Sequence, residues 1–149
     1  MADWAKNKKA YFDYDIQETF EAGMVLLGLE VKSVKLGRAN LKGSYVVLKG
    51  KEAFMINSHI PPYQSKNTPA DYDPERTRKL LLKRKEINYL QGKAKQKGLT
   101  LVPLRIYNRK SLLKLEFALA KGKKKFDKRE SIRQKETKRN IERARKGEY

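Results

Sequence analysis

Two groups of side chains have the types and spacing for chemistry, and they point in different directions. Asp13, Asp15, Glu18 and Glu21 lie close together in the chain. Gathered carboxylates can hold a divalent cation and activate water for nuclease chemistry. Alternation along a strand, however, puts only some of them on one face, and no metal-ligand spacing is present. The single histidine, His59, sits beside "IPPY" with no triad or metal partner in the sequence, so it reads as structural or as an RNA contact rather than as catalytic. There is no cysteine, hence no thiolate metal site, disulfide or thiol nucleophile. A phosphate-cradling glycine loop is also missing. No enzyme, metal or cofactor is expected.

The second group is "NKKAYFDY". Ammonium groups beside aromatic rings supply phosphate neutralisation and base stacking together. Lys8, Lys9 and Tyr11 are the leading candidates. Phe12 and Tyr14 share a period-two face with Ile16, which favours a core role, though Tyr14 is kept among the RNA-binding candidates. Overall charge agrees: 36 Lys and Arg against 17 Asp and Glu give a formal +19, which describes an anionic partner. The start has no apolar segment of a targeting signal, and no apolar run of about 18 residues spans a bilayer. The basic C-terminal stretch lacks the apolar stripe of a membrane-surface helix. Nucleic acid is the favoured partner, no membrane association is expected, and a cytoplasmic location fits.

These residues need elements to position them. The 149 residues divide into one domain, 1–120, and a basic tail, 121–149. "YFDYDIQE" alternates as a half-buried strand, with Phe12, Tyr14 and Ile16 on one face. "MVLLGLEV" reads as a second, with Gly28 and Glu30 opposite Val25, Leu27, Leu29 and Val31. "SYVVLKGKEAFMI" is a hairpin turning at Gly50 and Lys51. "LTLVPLRIY" and "SLLKLEFALA" pair around "NRKS", with Leu113, Leu115, Phe117 and Leu119 inward and Lys114 and Glu116 outward. Between the hairpins, "HIPPYQSKNTPADYDPERTR" holds four of the five prolines and reads as a long exposed loop. It leads into a helix in "KLLLKRKEINYLQGKAKQKG", with Ile87, Leu90 and Ala94 on one face and Gly98 as C-terminal cap. The fold expected is mainly β with flanking helices: a closed antiparallel barrel of about six strands, oligonucleotide-binding-like, since closure removes exposed edges. Periodicity alone leaves an open α+β sandwich as the alternative.

The tail, "KGKKKFDKRESIRQKETKRNIERARKGEY", is too poor in apolar side chains to fold alone. Asp127 and Glu130 have capping-box spacing. Glu130, Glu136 and Glu142 each precede an arginine by three residues, at Arg133, Arg139 and Arg145, worth roughly 0.2–0.5 kcal/mol per pair. A tail disordered when free and helical on an anionic surface is expected; a merely solubilising tail is the bland alternative.

Five motifs in order, "NKKAYFDY", "EAGMVLLGLEVKSVKLG", "DPERTRKLLL", "KGLTLVPLRIY" and "AKGKKKFDKRE", closely resemble the SmpB family, the SsrA-binding proteins of bacterial trans-translation. The resemblance implies an oligonucleotide-binding barrel with flanking helices and no covalent catalysis. It implies binding to the tRNA-like domain of transfer-messenger RNA, and delivery with elongation factor Tu to ribosomes stalled without a stop codon. Residue by residue, it carries tmRNA contacts onto Glu21 in "FEAG", Leu81 in "KLLL" and Lys114 in "LKLEF", with Asn7 and Lys8 beside them and Lys32 in "EVKSVKLG" as a further basic candidate. It carries ribosome contacts, at the small-subunit decoding centre and messenger channel, onto Gly122, Lys123, Lys124, Asp127, Lys128 and Arg129, and Arg133 is a further candidate in the same tail. A monomer is expected. Where many members carry His, this sequence has Phe12, which loses a titratable donor and keeps a stacking face. A general structured-RNA or single-strand RNA-binding barrel is the runner-up; a metal nuclease and an ordinary ribosomal protein are the readings from other classes.

Overall fold

The alternating segments close on one another through backbone pairing. The computed structural model describes residues 3–96 and 98–123. Its strands are β1 (Asp3–Lys6), β2 (Tyr14–Met24), β3 (Tyr45–Lys49), β4 (Glu52–Ile56), β5 (Arg78–Leu81), β6 (Leu99–Arg109) and β7 (Leu112–Gly122). Its helices are α1 (Lys8–Asp13), α2 (Gly28–Lys35) and α3 (Arg84–Ala94). The strand order is β1-β6-β3-β4-β5-β2-β7, and a further β6–β7 pairing closes the ring. Six strands form the expected barrel, and β1 lies outside it, against β6. All pairings are antiparallel.

Strand β6 serves two neighbours along one edge: Leu101 pairs with Val46 of β3, while Arg105, Ile106 and Tyr107 pair with β1. A bulge makes its two halves compatible. Leu101 and Ile106 stand opposite Leu119 and Leu115, with a register shift between Pro103 and Arg105. The extra residue on β6 restores the inward direction at Ile106, which strict alternation from Leu101 would turn outward. Inside the ring lie Val46, Ala53, Met55, Leu80, Leu101, Ile106, Leu115, Phe117 and Leu119. A smaller cluster of Ala10, Val102, Leu104, Ala118 and Ala120 sits between α1 and the β6–β7 pair. Both faces of the late β7 residues are therefore covered.

Both predicted hairpins are present. Gly50 turns at φ +61°, and Lys110 and Ser111 adopt φ 50° and 64°, the left-handed pair that matches strand twist in a tight hairpin. Elsewhere local pattern gives way to tertiary contacts. Residues 11–13, expected in a strand, belong to α1. Asn7 caps this helix, accepting from the Ala10 amide, while its own side-chain amide donates to Leu41 O at 3.2 Å and Pro103 O at 2.9 Å. "MVLLGLEV" is the end of β2, a connector and the start of α2, not a strand: Val25 and Leu27 are exposed. "KLLL" is not helical either. Arg78–Leu81 fills the gap between β4 and β2, and α3 starts only at Arg84. Ile87 and Leu90 are buried as expected, whereas Ala94 is exposed. Gly98, at φ +82°, lies in the turn into β6; the residue capping α3 is Lys95.

The α2 start follows from Glu30, which is fully buried. It accepts from the Leu27 amide at 2.8 Å, from Arg78 at 2.6 and 2.8 Å, from Arg76, and from the Tyr72 hydroxyl at 3.1 Å. Arg78, equally buried, also donates to Ser58 O and Pro74 O, both at 2.8 Å. The proline-rich segment expected to be a long exposed loop is thus tied down at Tyr72, Arg76 and Pro74. Burial alone would raise the Glu30 carboxyl, but Arg76, the Leu27 amide and Arg78 outweigh it and hold the group below the usual carboxylate range. A depressed carboxyl contributes stability that is complete above its unfolded value, about 4.3, and is lost as pH falls through the folded value. Glu30→Gln should cost about 3–5 kcal/mol at neutral pH, because it leaves Arg78 buried without its counter-ion. In urea denaturation that difference should shrink as pH drops below about 4; equal stability at neutral pH would refute this role.

Candidate nucleic-acid interface

Pairing brings separated positions into one transverse row. Leu81 of β5 stands opposite Gly23 of β2, Gly23 opposite Lys114 of β7, Lys114 opposite Tyr107 of β6, and Tyr107 opposite Asp3 of β1. Partners in register share a sheet face. The residues adjacent in sequence, Leu80, Ala22, Leu115 and Ile106, point into the core, so this row lies on the outside. Five strands about 4.8 Å apart give it a width of about 19 Å. The next row joins Glu21, Glu116, Arg105 and Lys6. Leu80 is the core leucine, while Leu81 is 55% exposed. A Cβ at Gly23 would come within 3.3 Å of Leu81 Cβ, so the glycine leaves room for that leucine's close approach.

The charges on this face are unequally available. Arg105 donates to Asp3 at 2.7 Å and Glu116 at 3.2 Å and lies 4.3 Å above the Tyr107 ring; the two carboxylates raise its pKa. Glu21 accepts from the Tyr107 hydroxyl and from Arg109 Nη1 at 3.0 and 3.1 Å. The Tyr107 hydrogen bond is the largest influence on the Glu21 pKa and lowers it; burial, next in size, opposes it, and Arg109 and Lys114 add to the lowering, which prevails. Burial first, and the Glu21 carboxylate second, raise that of Tyr107. Sequence reasoning missed Arg105, Tyr107 and Arg109. Their period-two spacing in "RIYNR", alternating with Ile106, was the available signal.

The α1 candidates form a second region. Lys8 and Lys9 are exposed, whereas Asn7 is 5% exposed with its side chain engaged by backbone. Tyr11 is partly exposed, with Lys6 Nζ 5.6 Å from its ring centroid. Beside α1 lies a cavity of ≈370 Å³ whose lining includes Lys9, Tyr14, Lys42 and Tyr45. Burial, and then a hydrogen bond with Tyr45, push Tyr14 up to about 12. Phe12 is half-buried on α1. Lys32 is elsewhere, exposed on α2, with Nζ 5.4 Å from the Tyr63 ring centroid.

At the end of β7, Gly122 pairs with Tyr14, and the Lys123 amide donates to Asp13 O at 2.9 Å. Lys124, Asp127, Lys128, Arg129 and Arg133, with the expected tail helix, lie outside the described residues. His59 is exposed, its Nδ1 3.6 Å from the Glu75 carboxylate. Glu18 accepts from the Tyr89 hydroxyl at 2.6 Å. Among the described residues, no three His, Asp or Glu side chains gather to hold a metal, and no helix is long and apolar enough to cross a membrane.

Because Leu81 lies outside the core, its truncation should not unfold the barrel. Leu81→Ala should change stability by no more than about 0.5 kcal/mol, whereas Phe117→Ala in the ring interior should cost about 3–5 kcal/mol. Urea denaturation of the two variants checks this; comparable losses would mean that Leu81 is a packing residue.

The sequence matches known proteins over most of its length. The family model described as SmpB protein matches residues 4–147. The SsrA-binding protein of Geobacillus kaustophilus is 53% identical over 140 residues, covering 94% of this chain and 90% of that protein. That of Rubrobacter xylanophilus is 50% identical over 146 residues, covering 98% and 97%. A solved structure described as "tmRNA-SmpB: a journey to the center of the bacterial ribosome" matches at a TM-score of 0.68 and 42% identity, covering 86% of this chain and 93% of that one. With its closed six-strand barrel and a family match running almost end to end, the chain belongs to the SmpB family.

Proposed function

We propose that this protein is a non-enzymatic RNA adaptor of trans-translation. It binds the tRNA-like domain of transfer-messenger RNA with its barrel, is delivered with elongation factor Tu to stalled ribosomes, and tests the empty messenger channel with its C-terminal tail. The observation that carries the reading is the row Leu81, Gly23, Lys114: an exposed leucine and a lysine held across a glycine on a rigid sheet, in a chain of formal charge +19. Leu81 offers an apolar surface to an unstacked base, and Lys114 neutralises a phosphate. Support also comes from relatives named SsrA-binding proteins and from a structural neighbour described as tmRNA-SmpB in the bacterial ribosome.

The α1 residues have a different part. Lys8, Lys9, Tyr11 and Tyr14 form a basic, aromatic surface that Asn7 positions without itself reaching out, and Lys32 adds charge on α2. The tail residues Gly122, Lys123, Lys124, Asp127, Lys128, Arg129 and Arg133 act on the ribosome. A Lys/Arg-rich segment ordering along ribosomal RNA gains counterion release as it folds. If messenger fills the channel, that site is closed to the tail. The protein acts as a monomer in the cytoplasm.

The test compares the full chain with one ending at Lys123, which keeps all of β7. Binding to a tRNA-like RNA across a salt series should be largely retained by the shorter chain, while peptide tagging on ribosomes stalled at a messenger's end should be lost. Leu81→Ala should weaken RNA binding by about 1 kcal/mol, the order expected for apolar surface covered by a base. Loss of most RNA affinity on truncation, with an unselective remainder, would make the tail the principal grip and overturn the barrel assignment.

A further inference from the structure

Glu21 is a carboxylate on the RNA-facing side of a strongly basic protein, and its oxygens are already engaged. We infer that Arg109 is a phosphate-binding residue of this face and that Glu21, itself held by Tyr107, is its positioning residue. The inference rests on the barrel reading above and changes how Glu21 acts within it. Both hydrogen bonds of Arg109 to Glu21 leave from Nη1. Nε and Nη2 make no hydrogen bond among the described residues, and the side chain is 53% exposed. Those two nitrogens form one edge of the planar guanidinium, the geometry that meets a phosphate with two parallel hydrogen bonds.

The support behind Arg109 is rigid. It ends β6 opposite Leu112, next to the tight Lys110–Ser111 turn. Tyr107 is 2% exposed, packed under Arg105, and donates its hydroxyl to Glu21. Arg105, by contrast, is shared between Asp3 and Glu116 and has its charge spent within the protein. Of the two β6 arginines on this face, only Arg109 keeps a free fork. A pre-placed side chain loses less freedom on binding, which is what a carboxylate in a basic site provides.

The sign of the Glu21 effect separates this idea from simple charge. Removing an acidic group from a cationic surface should tighten RNA binding if long-range attraction were all that mattered. The experiment is a double-mutant cycle on the full chain, measuring affinity for a tRNA-like RNA across a salt series, with thermal unfolding of each variant as a control. Arg109→Ala should weaken binding and reduce the salt slope by about one. Glu21→Gln should weaken binding in the wild-type background and have no further effect beside Arg109→Ala. Tyr107→Phe, which keeps the ring under Arg105, should weaken binding only while Arg109 is present. Arg109→Lys should restore the salt slope without restoring full affinity. Equal losses from Glu21→Gln in both backgrounds would mean that Glu21 contacts RNA directly, and tighter binding by Glu21→Gln would mean that it only repels; either overturns the inference. Wild-type protein that binds unstructured RNA of equal length as tightly would sink the tRNA-like reading instead, and the same cycle on that RNA would still decide the role of Arg109.

Discussion

The buried pair of Glu30 and Arg78 fixes how α2 and the proline-rich segment meet the barrel at β5. Placing two charges in a protein interior is costly, and the arrangement is tolerated only when each hydrogen-bonding site is filled. Here the Leu27 amide, Arg76, Arg78 and Tyr72 all donate to the carboxylate, and Arg78 reaches the Ser58 and Pro74 carbonyls as well. One constraint therefore sets the start of α2, the path of the proline-rich segment and the position of β5. The consequence reaches the outer face. Since β5 lies between β4 and β2, whatever holds Arg78 in the interior also holds Leu81, three residues on, in register with Gly23.

The barrel wall then separates two kinds of work. Its inner surface is a dense apolar core, while its outer surface carries charges arranged in transverse rows. The bulge in β6 is what lets one strand serve both, returning Ile106 to the core and directing Arg105, Tyr107 and Arg109 outward. Charge is graded along that strand. Arg105 is neutralised by Asp3 and Glu116, and Arg109 has a single carboxylate partner. A net charge of +19 thus gives attraction over a distance, but the paired carboxylates decide which cations are left to touch a ligand.

Periodicity was a sound guide where a strand's neighbours agree with its local pattern. The β3–β4 and β6–β7 hairpins were legible because alternation and turn residues coincide there. It failed at three places for identifiable reasons. Residues 11–13 alternate like a strand, yet the Asn7 side chain binds the backbone at Ala10, Leu41 and Pro103 and winds them into α1. "MVLLGLEV" is apolar enough for a strand, but Glu30 must reach Arg78 from a helix. "KLLL" precedes a helical pattern, but β4 and β2 offer it hydrogen bonds on both edges.

The sequence by itself determined the mainly-β class, the basic character of the surface and the family, because hydrophobic alternation, net charge and ordered motifs are properties of the chain that need no partner; closure of the ring was decided by the β6–β7 pairing. It also named Glu21, Leu81 and Lys114 through family resemblance. Only the tertiary structure decided that Leu81 and Lys114 flank Gly23 in one row, that Asn7 is buried while Lys8 and Lys9 are exposed, and that Glu21 is bound to Tyr107 and Arg109. Such facts depend on strand register, on one bulge and on buried polar contacts between residues far apart in sequence. None of these has a local signature, because the groups that stabilise each of them come from different parts of the chain.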